Sequence, residues 1–226
     1  MEETRHINSP EVLSNITCAY CGEDLSAETE DTEHVVGRRF VPKGSLDGAW
    51  NIILKACKRC NREKGDLEDD ISAITMQPTV AGQFHPLSGP SVVQEAERKR
   101  RRSRSRHTGK VVADSHERFT HTFHSPQVAM SFSFVGPPRI AETRIVALAR
   151  LQIIGMMYRL TYDEHEQRGK FIEGEFRPLR SALRTDWGNA VHRTFMEEVS
   201  QWEDNLVGYT ADGNFQVAIR QLLTPA

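Results

Sequence analysis

The segment "KACKRCNREKGD", residues 55–66, places two cysteines three positions apart, followed at once by an Asn and three residues later by a Lys. A second pair occurs upstream in "CAYC", residues 18–21. The four cysteines of the chain are Cys18, Cys21, Cys57 and Cys60. Two C-x-x-C pairs are typical of one tetrahedral Zn²⁺ held by four thiolates, and two unrelated redox pairs are the alternative. The sequence therefore predicts a structural zinc site, with a long loop between its two halves.

Composition favours a soluble protein inside the cell. The chain has 226 residues, of which 38% are apolar, so it can form one large domain or two small ones. No apolar run is long enough to cross a bilayer, and the start "MEETRHINSP" lacks the apolar core of a signal peptide. We expect a cytoplasmic protein with no membrane partner, in which reduced cysteines bind metal more often than they form disulfides.

Charge is distributed unevenly along the chain. The net charge is −2, so the whole protein is not a basic nucleic-acid binder, but "RKRRRSRSR" at 98–106 has seven basic residues in nine. Such a run predicts a local contact with the phosphates of DNA, and a solubilising or localisation segment is the alternative. The residues expected to contact DNA here are Arg98, Arg100, Arg101 and Arg102.

The patterning predicts an α+β protein in three parts. Residues 1–75 hold every cysteine, 76–117 form a connector with a basic arm, and 118–226 form an α+β accessory domain that reads DNA, dimerises or senses a signal. Within the accessory domain we expect strands in 119–135, a helix in 142–168, a short strand in 170–179, a helix in 186–206 and a closing strand in 213–223.

The polar residues around the cysteines occur in a characteristic order. Glu33 and His34 lie between the two pairs, Asn51 follows, and the last cysteine leads into Asn61 and Lys64. In this order and spacing, the stretch from 18 to 66 resembles the HNH endonuclease family, whose nuclease domain has a ββα-metal fold. The match covers less than a quarter of the chain. The resemblance implies a metal-dependent endonuclease or nickase that leaves 5′-phosphate and 3′-hydroxyl ends.

Chemical roles follow from the residue types and from the resemblance together. An imidazole with a pKa near 6.5 accepts a proton at neutral pH, so His34 is the expected general base. The resemblance implies that Glu33 and Asn61 hold a catalytic Mg²⁺ or Mn²⁺; the family usually has Asp at the first position, and Asp31 is a second candidate. Asn51 would orient the imidazole or brace its loop, although a simple turn-forming Asn remains the alternative.

Further basic residues are candidates for contacts with the phosphate backbone. Lys64 would share a helix face with Asn61 and reach the scissile phosphate, unless it is a solvated lysine at a helix end. Arg38, Arg39 and Lys43 lie in the loop after His34, where they contact DNA or are solvated.

Three functions are open at this point. The first is a DNA endonuclease, for example a restriction or phage-defence effector, in which the accessory domain mediates homodimerisation or binds a regulatory partner. The second is a non-catalytic, zinc-stabilised DNA-binding or adaptor protein. The third is a sensor in the C-terminal part that restrains the nuclease.

Overall fold

The computed structural model describes residues 9–78, 89–124, 129–170, 197–210 and 215–221. The elements form a mixed α+β structure with small sheets, as the sequence predicts. The strands are β1 Glu11–Val12, β2 Glu30–His34, β3 Ile52–Cys57, β4 Glu117–His124, β5 Ala129–Gly136, β6 Glu203–Thr210 and β7 Phe215–Gln221. The α-helices are α1 Lys58–Thr75, α2 Pro90–Arg100 and α3 Glu142–Leu160, and 3₁₀ turns span Arg38–Phe40 and Val112–Asp114.

The cysteine-bearing part is built on a sheet of three strands with β3 in the centre. β2 pairs with β3 in antiparallel register, from Glu30 opposite Cys57 to His34 opposite Ile53, and β1 pairs with β3 in parallel. β3 reads "IILKAC", and most of its side chains are buried, as expected for a central strand. α1 begins at the residue after β3, so the second cysteine pair lies at the junction of strand and helix.

Helix α3 packs on the same core as the sheet. Met156 and Tyr158 of α3 join a buried cluster with Val35, Trp50 and Ile52. The two halves of the chain are also joined by ion pairs, Arg159 with Glu11 at 2.5 Å and Arg144 with Asp70 at 2.8 Å. Although the sequence places α3 in a separate accessory domain, it completes the core of the cysteine-bearing part.

Close packing of α3 depends on one glycine. A Cβ added at Gly155 would lie 2.7 Å from a methyl carbon of the fully buried Val35, so only glycine allows the helix to approach the sheet this closely. Tyr158 donates its hydroxyl proton to the carbonyl of Thr17 at 3.2 Å, next to the first cysteine. The helix is therefore held against the segment that leads into the first cysteine pair.

The described part of the basic connector at 89–117 contacts α1. Arg106 forms an ion pair with Asp66 and donates its backbone N–H to Asp70 at 3.2 Å. Ser103 donates to Asp69 at 3.1 Å. Opposite charges explain the docking, because the second half of α1 reads "GDLEDD" where the connector reads "RRRSRSR". Part of the arginine run therefore serves an internal contact.

Several predicted elements are confirmed. The strands expected in 119–135 are the antiparallel pair β4 and β5, and the closing strand is β7. The helix expected in 142–168 is α3 as far as Leu160, and it is wrong for 161–168, which form turns and an isolated bridge. The helix expected over 186–206 is wrong for 203–206, which begin β6 and pair with β7. Residues 171–196, which include most of that helix and of the short strand expected in 170–179, lie outside the described residues. Across the described ranges no helix combines the length and apolarity needed to span a bilayer.

Candidate functional site

The four cysteines come together as one cluster. The Sγ atoms of Cys18, Cys21, Cys57 and Cys60 all lie within 4.8 Å of one another, and the distance from Cys21 Sγ to Cys57 Sγ is 3.8 Å. Tetrahedral Zn²⁺ with Zn–S bonds of about 2.3 Å requires sulfur–sulfur distances of about 3.8 Å. The cluster is therefore of the right size for a metal ion such as Zn²⁺.

Local backbone geometry prepares the first half of this cluster. The carbonyl of Cys18 accepts the N–H of Gly22 at 2.9 Å, and the N–H of Cys18 donates to the carbonyl of Glu23 at 2.7 Å. Gly22 has a φ of +75°, a conformation that glycine adopts without steric cost. The N–H of Cys57 donates to the Cys18 sulfur at 3.3 Å, which orients the two halves toward each other.

The thiols of the cluster differ in how readily they lose a proton. Burial, followed by neighbouring Cys18, raises the pKa of Cys21 to about 11, and burial raises the pKa of Cys60 even further. The pKa of Cys57 is lowered in spite of burial, because the backbone N–H and thiol of Cys60 hydrogen-bond to it. Metal binding requires thiolates, and a divalent cation supplies the charge that stabilises them.

A polar cavity of about 570 Å³ lies next to the end of β2 and is lined in part by Asn61, the residue after Cys60. Its walls come from the end of β2, the loop at 37–47, the first turns of α1 and one face of α2. Glu33, His34 and Asn61 all line it, so the three residues expected to form the chemical centre share one space. The order of the elements brings them together, because β2 and α1 both contact the central strand and each other.

His34 is held from both sides along the main chain. Its carbonyl accepts a hydrogen bond from Lys64 Nζ at 2.8 Å. Two residues on, the N–H of Val36 donates to Asn51 Oδ1 at 3.1 Å, and Asn51 Nδ2 donates to the Val36 carbonyl at 2.9 Å. Asn51 is buried and thus braces the loop after His34, one of the two functional roles expected from the sequence.

The half-buried imidazole of His34 has a lowered pKa. Burial is the largest cause, followed by the positive charges of Arg38 and Lys64. A neutral ring carries a lone pair that can accept a proton, so this environment favours the state that a general base needs.

Lys64 lies in a different place from the one the sequence suggested. The side chain is 0% exposed, and its ammonium donates to Glu33 Oε1 at 2.5 Å, to Glu68 Oε1 and to the carbonyl of His34. An ammonium has three N–H donors, so these acceptors leave none for a phosphate. Lys64 is neither the expected phosphate ligand nor a solvated lysine; it joins β2 to α1 and positions His34.

The two expected metal ligands, Glu33 and Asn61, contact different side chains. Glu33 is 6% exposed and paired with Lys64, and burial nevertheless raises its pKa because desolvation outweighs the attraction of the lysine. Asn61 instead donates its amide to Asp31 Oδ2 at 2.6 Å. Asp31 and Asn61 line a second cavity of about 560 Å³, so Asn61 lies between the two spaces. The carboxylate next to the side chain of Asn61 is that of Asp31, the second candidate for a metal ligand.

Basic residues surround the larger cavity unevenly. Four of the residues expected to contact DNA, Arg38, Arg39, Lys43 and Arg98, line it. Arg39 also pairs with Asp69 at 3.2 Å, and Arg98 with Glu95. Arg100 and Arg101 form ion pairs with Glu97 on their own helix, at 3.2 and 2.7 Å.

Three residues of the site were missed by sequence reasoning: Tyr20, Glu68 and Lys99. Glu68 lies four residues after Lys64, and this helical spacing of opposite charges was a signal that could have identified the pair. Tyr20 has a buried hydroxyl without a hydrogen-bond partner of standard geometry in the described structure; burial, then Glu33 and Glu68, raise its pKa. Lys99 lies within the arginine run, where nothing in the sequence distinguishes it.

Replacing Lys64 tests its structural role. Lys64→Met leaves the buried carboxylates of Glu33 and Glu68 without a counter-ion, so we expect a loss of about 3–5 kcal/mol in the free energy of unfolding. Urea unfolding of the zinc-loaded chain measures this loss. Lys110→Met, at an exposed position, is the matched control and should change stability by less than about 0.5 kcal/mol. Equal midpoints for the two variants would show that the buried ion pairs contribute nothing.

Comparison with known proteins yields no relative. No protein-family model, curated protein or solved structure matches this chain. The resemblance to the HNH family therefore stays a prediction that rests on the residues quoted above. Function has to be inferred from the chemistry of the cavity and of the four-cysteine cluster.

Proposed function

We propose that this protein is a metal-dependent endonuclease of the HNH type that hydrolyses phosphodiester bonds of DNA. The observation that carries the proposal is that His34, with its lowered pKa, lines the same cavity as Asn61 and the basic residues Arg38, Lys43 and Arg98. A phosphodiester bound there would meet a proton acceptor, an oxygen ligand for a cation and positive charge.

His34 acts as the general base in this proposal. Its neutral imidazole takes a proton from a water molecule as the water oxygen attacks phosphorus, the bond from phosphorus to the 3′ oxygen breaks, and the leaving oxygen acquires a proton from solvent. The hydrogen bonds from Lys64 to the His34 carbonyl and between Asn51 and Val36 fix the backbone that carries the ring. These contacts reduce the motion that the imidazole must give up before reaction.

Asn61 and a neighbouring carboxylate would hold Mg²⁺ or Mn²⁺. The hard oxygen donors fit these ions, which also retain several waters. Asp31 already contacts Asn61, whereas Glu33 would first have to leave Lys64. When bound, such an ion supplies charge that stabilises the phosphate and the leaving oxygen.

The four-cysteine cluster has a separate, structural duty. Soft thiolates select Zn²⁺, and four of them leave no open coordination position for substrate. The cluster ties the turn at 18–22 to the start of α1, which carries Asn61. Zinc would therefore fix the position of a catalytic residue without taking part in the reaction.

A nicking assay tests the proposal. Supercoiled plasmid is incubated with the zinc-loaded full-length chain in Mg²⁺, in Mn²⁺ or in neither, and the products are separated on a gel. We expect nicked or linear DNA only with added divalent ion. A protein that retains zinc, binds the plasmid and leaves it supercoiled with both ions would refute a nuclease function.

The pH profile of the same assay tests the role of His34. Since the pKa of His34 lies below its ordinary value of 6.5, the ring is mostly neutral at pH 6.5 and above. Cleavage should therefore be insensitive to protonation of His34 above that pH and fall about tenfold per pH unit once the pH is below the lowered pKa. Initial rates at subsaturating DNA between pH 5 and 8 measure this limb. If the rate already falls tenfold per unit as the pH is lowered toward 6.5, a base with a higher pKa than His34 is at work.

A non-catalytic DNA-binding or adaptor protein is the second candidate, and one observation favours it. Glu33, the residue that the resemblance makes a metal ligand, is engaged by Lys64. If this pair persists with DNA bound, the basic cavity could bind phosphates without cutting them. The nicking assay separates the two, because a binder would shift the plasmid on a gel and leave its topology unchanged.

A further inference from the structure

A smaller cavity lies next to the larger one, between α1 and α2. It has a volume of about 220 Å³ and shares Arg39, Arg98 and Lys99 with its larger neighbour. Arg102 and the hydroxyl-bearing residues Ser72 and Ser103 complete much of its wall. The space is large enough for a phosphate group with some of its hydration.

Lys99 is the feature that indicates a ligand. It is 6% exposed, and its Nζ donates to the neutral Ser72 Oγ at 3.0 Å. Within the described ranges this ammonium has no other acceptor, whereas Lys64, which is fully buried, donates to two carboxylates and a carbonyl. A buried charge is costly unless it is paired, and Lys99 lacks the carboxylate partners that Lys64 has.

The carboxylates nearest to Lys99 are already engaged. Glu95 accepts two hydrogen bonds from Arg98, and Asp69 accepts from Arg39 at 3.2 Å and from Ser103 at 3.1 Å. Arg102 is exposed and has no ion-pair partner among the residues that the structure describes. Four cationic side chains therefore face two carboxylates, and the positive charge of this corner exceeds the negative charge by two.

The surroundings depress the charge of Lys99. Burial lowers its pKa to about 8. The negative charge of Glu95 opposes this shift, as does the weaker influence of Asp69, while the positive charges of Arg98 and Arg39 add to it. An anion in the cavity would have the opposite influence and stabilise the ammonium. The geometry of the cavity and its charge balance therefore both favour an anionic ligand.

We propose that the cavity lined by Lys99, Arg102, Arg39 and Ser72 is a binding site for a phosphate-class anion, either free phosphate or a phosphodiester of a nucleic acid. Lys99 and Arg102 would donate to the phosphate oxygens, and Arg39 and Arg98 would add charge while keeping their own partners. This site holds an anion by itself and does not require that the neighbouring cavity cleaves DNA. If DNA is the ligand, this site would bind a different phosphate of the backbone from the phosphate beside His34.

Calorimetric titration with inorganic phosphate tests the site. The full-length, zinc-loaded chain is titrated at constant ionic strength set with chloride, in the absence of Mg²⁺ and Mn²⁺. We expect saturable binding that Lys99→Met and Arg102→Gln each weaken at least tenfold. Lys110→Met and Arg104→Gln, both at exposed positions, are the matched controls. These variants should bind phosphate as the wild type does. Because Arg102 is exposed, Arg102→Gln keeps the test valid even if Lys99→Met impairs folding.

A second arm identifies the source of the phosphate. Binding of a short DNA duplex is followed by fluorescence anisotropy in the same metal-free buffer. A parallel loss of DNA affinity in both variants supports a phosphodiester ligand, and a loss confined to inorganic phosphate supports a free anion. If neither ligand distinguishes the two variants from their controls, the proposal is overturned. Both titrations are made without Mg²⁺ or Mn²⁺ and measure binding alone, whereas the nicking assay measures cleavage, so failure of this site and failure of the nuclease proposal are distinguishable.

Discussion

Cys60→Ser is expected to abolish the native fold of the cysteine-bearing part. Removal of one thiolate from the cluster lowers zinc affinity, and zinc binding contributes about 10–16 kcal/mol in zinc-finger peptides. That is comparable to the whole stability of a typical domain, about 5–15 kcal/mol. We expect a purified variant with far less than one zinc per chain, and loss of the dispersed amide spectrum for the residues of β2, β3 and α1.

Metal analysis and an amide correlation spectrum measure the two parts of this result. Ala27→Ser, at an exposed position between the cysteine pairs, is a matched control that should keep both zinc and spectrum. Wild-type protein stripped by a chelator should resemble Cys60→Ser and recover when zinc is returned. A variant without zinc that keeps the native spectrum would show that the four cysteines only pack together.

His34→Ala should remove nearly all DNA cleavage and leave the fold intact. A positioned general base contributes about 10²- to 10⁴-fold to a rate, so we expect a decrease of that size in the initial nicking rate. The side chain of His34 is half-buried, and its structural contact to Lys64 is made by the backbone carbonyl, which alanine retains. Zinc content, thermal unfolding and affinity for DNA should therefore change little.

His116→Ala, at an exposed histidine outside the cavity, is the matched control and should cut at the wild-type rate. The residual activity of His34→Ala should lack the acid limb of the pH profile. A His34→Ala protein that nicks as fast as His116→Ala would exclude the imidazole from the reaction.

Spacing in the sequence was sufficient to predict the four-cysteine cluster. The two C-x-x-C pairs indicate the cluster directly, because the short spacing within each pair, in the turn at 18–22 and at the junction of β3 and α1, keeps its two sulfurs close together. Alternation and helical periodicity likewise predicted β4, β5 and α3. These features depend on local contacts, which are determined by residues close together in the sequence.

Contacts between distant segments were not predictable in the same way. Nothing near Lys64 shows that a glutamate 31 positions earlier will reach it at 2.5 Å and bury it. The packing of α3 on Val35 and Trp50, and the docking of the connector on the acids of α1, likewise depend on the tertiary arrangement of the chain. Periodicity indicates that a helix has an apolar face and does not identify the surface that covers it.

Charge runs were interpretable only in part. The run at 98–106 was expected to meet a polyanion, and the structure divides its members among three environments. Arg106 pairs with Asp66, Arg101 pairs with Glu97, and Lys99 is buried at a cavity. These uses differ in burial and partners, which composition does not encode.

The most direct test of the account is to locate a catalytic cation by paramagnetic broadening. Mn²⁺ is titrated into the zinc-loaded full-length chain, and the side-chain resonances of His34 and Asn61 are followed with His116 as an internal reference. The account predicts that His34 and Asn61 broaden first, at Mn²⁺ concentrations that leave His116 sharp, because one ion lies within reach of both. Broadening that spares His34 and Asn61, or that affects all three equally, would contradict a divalent-ion site in this cavity.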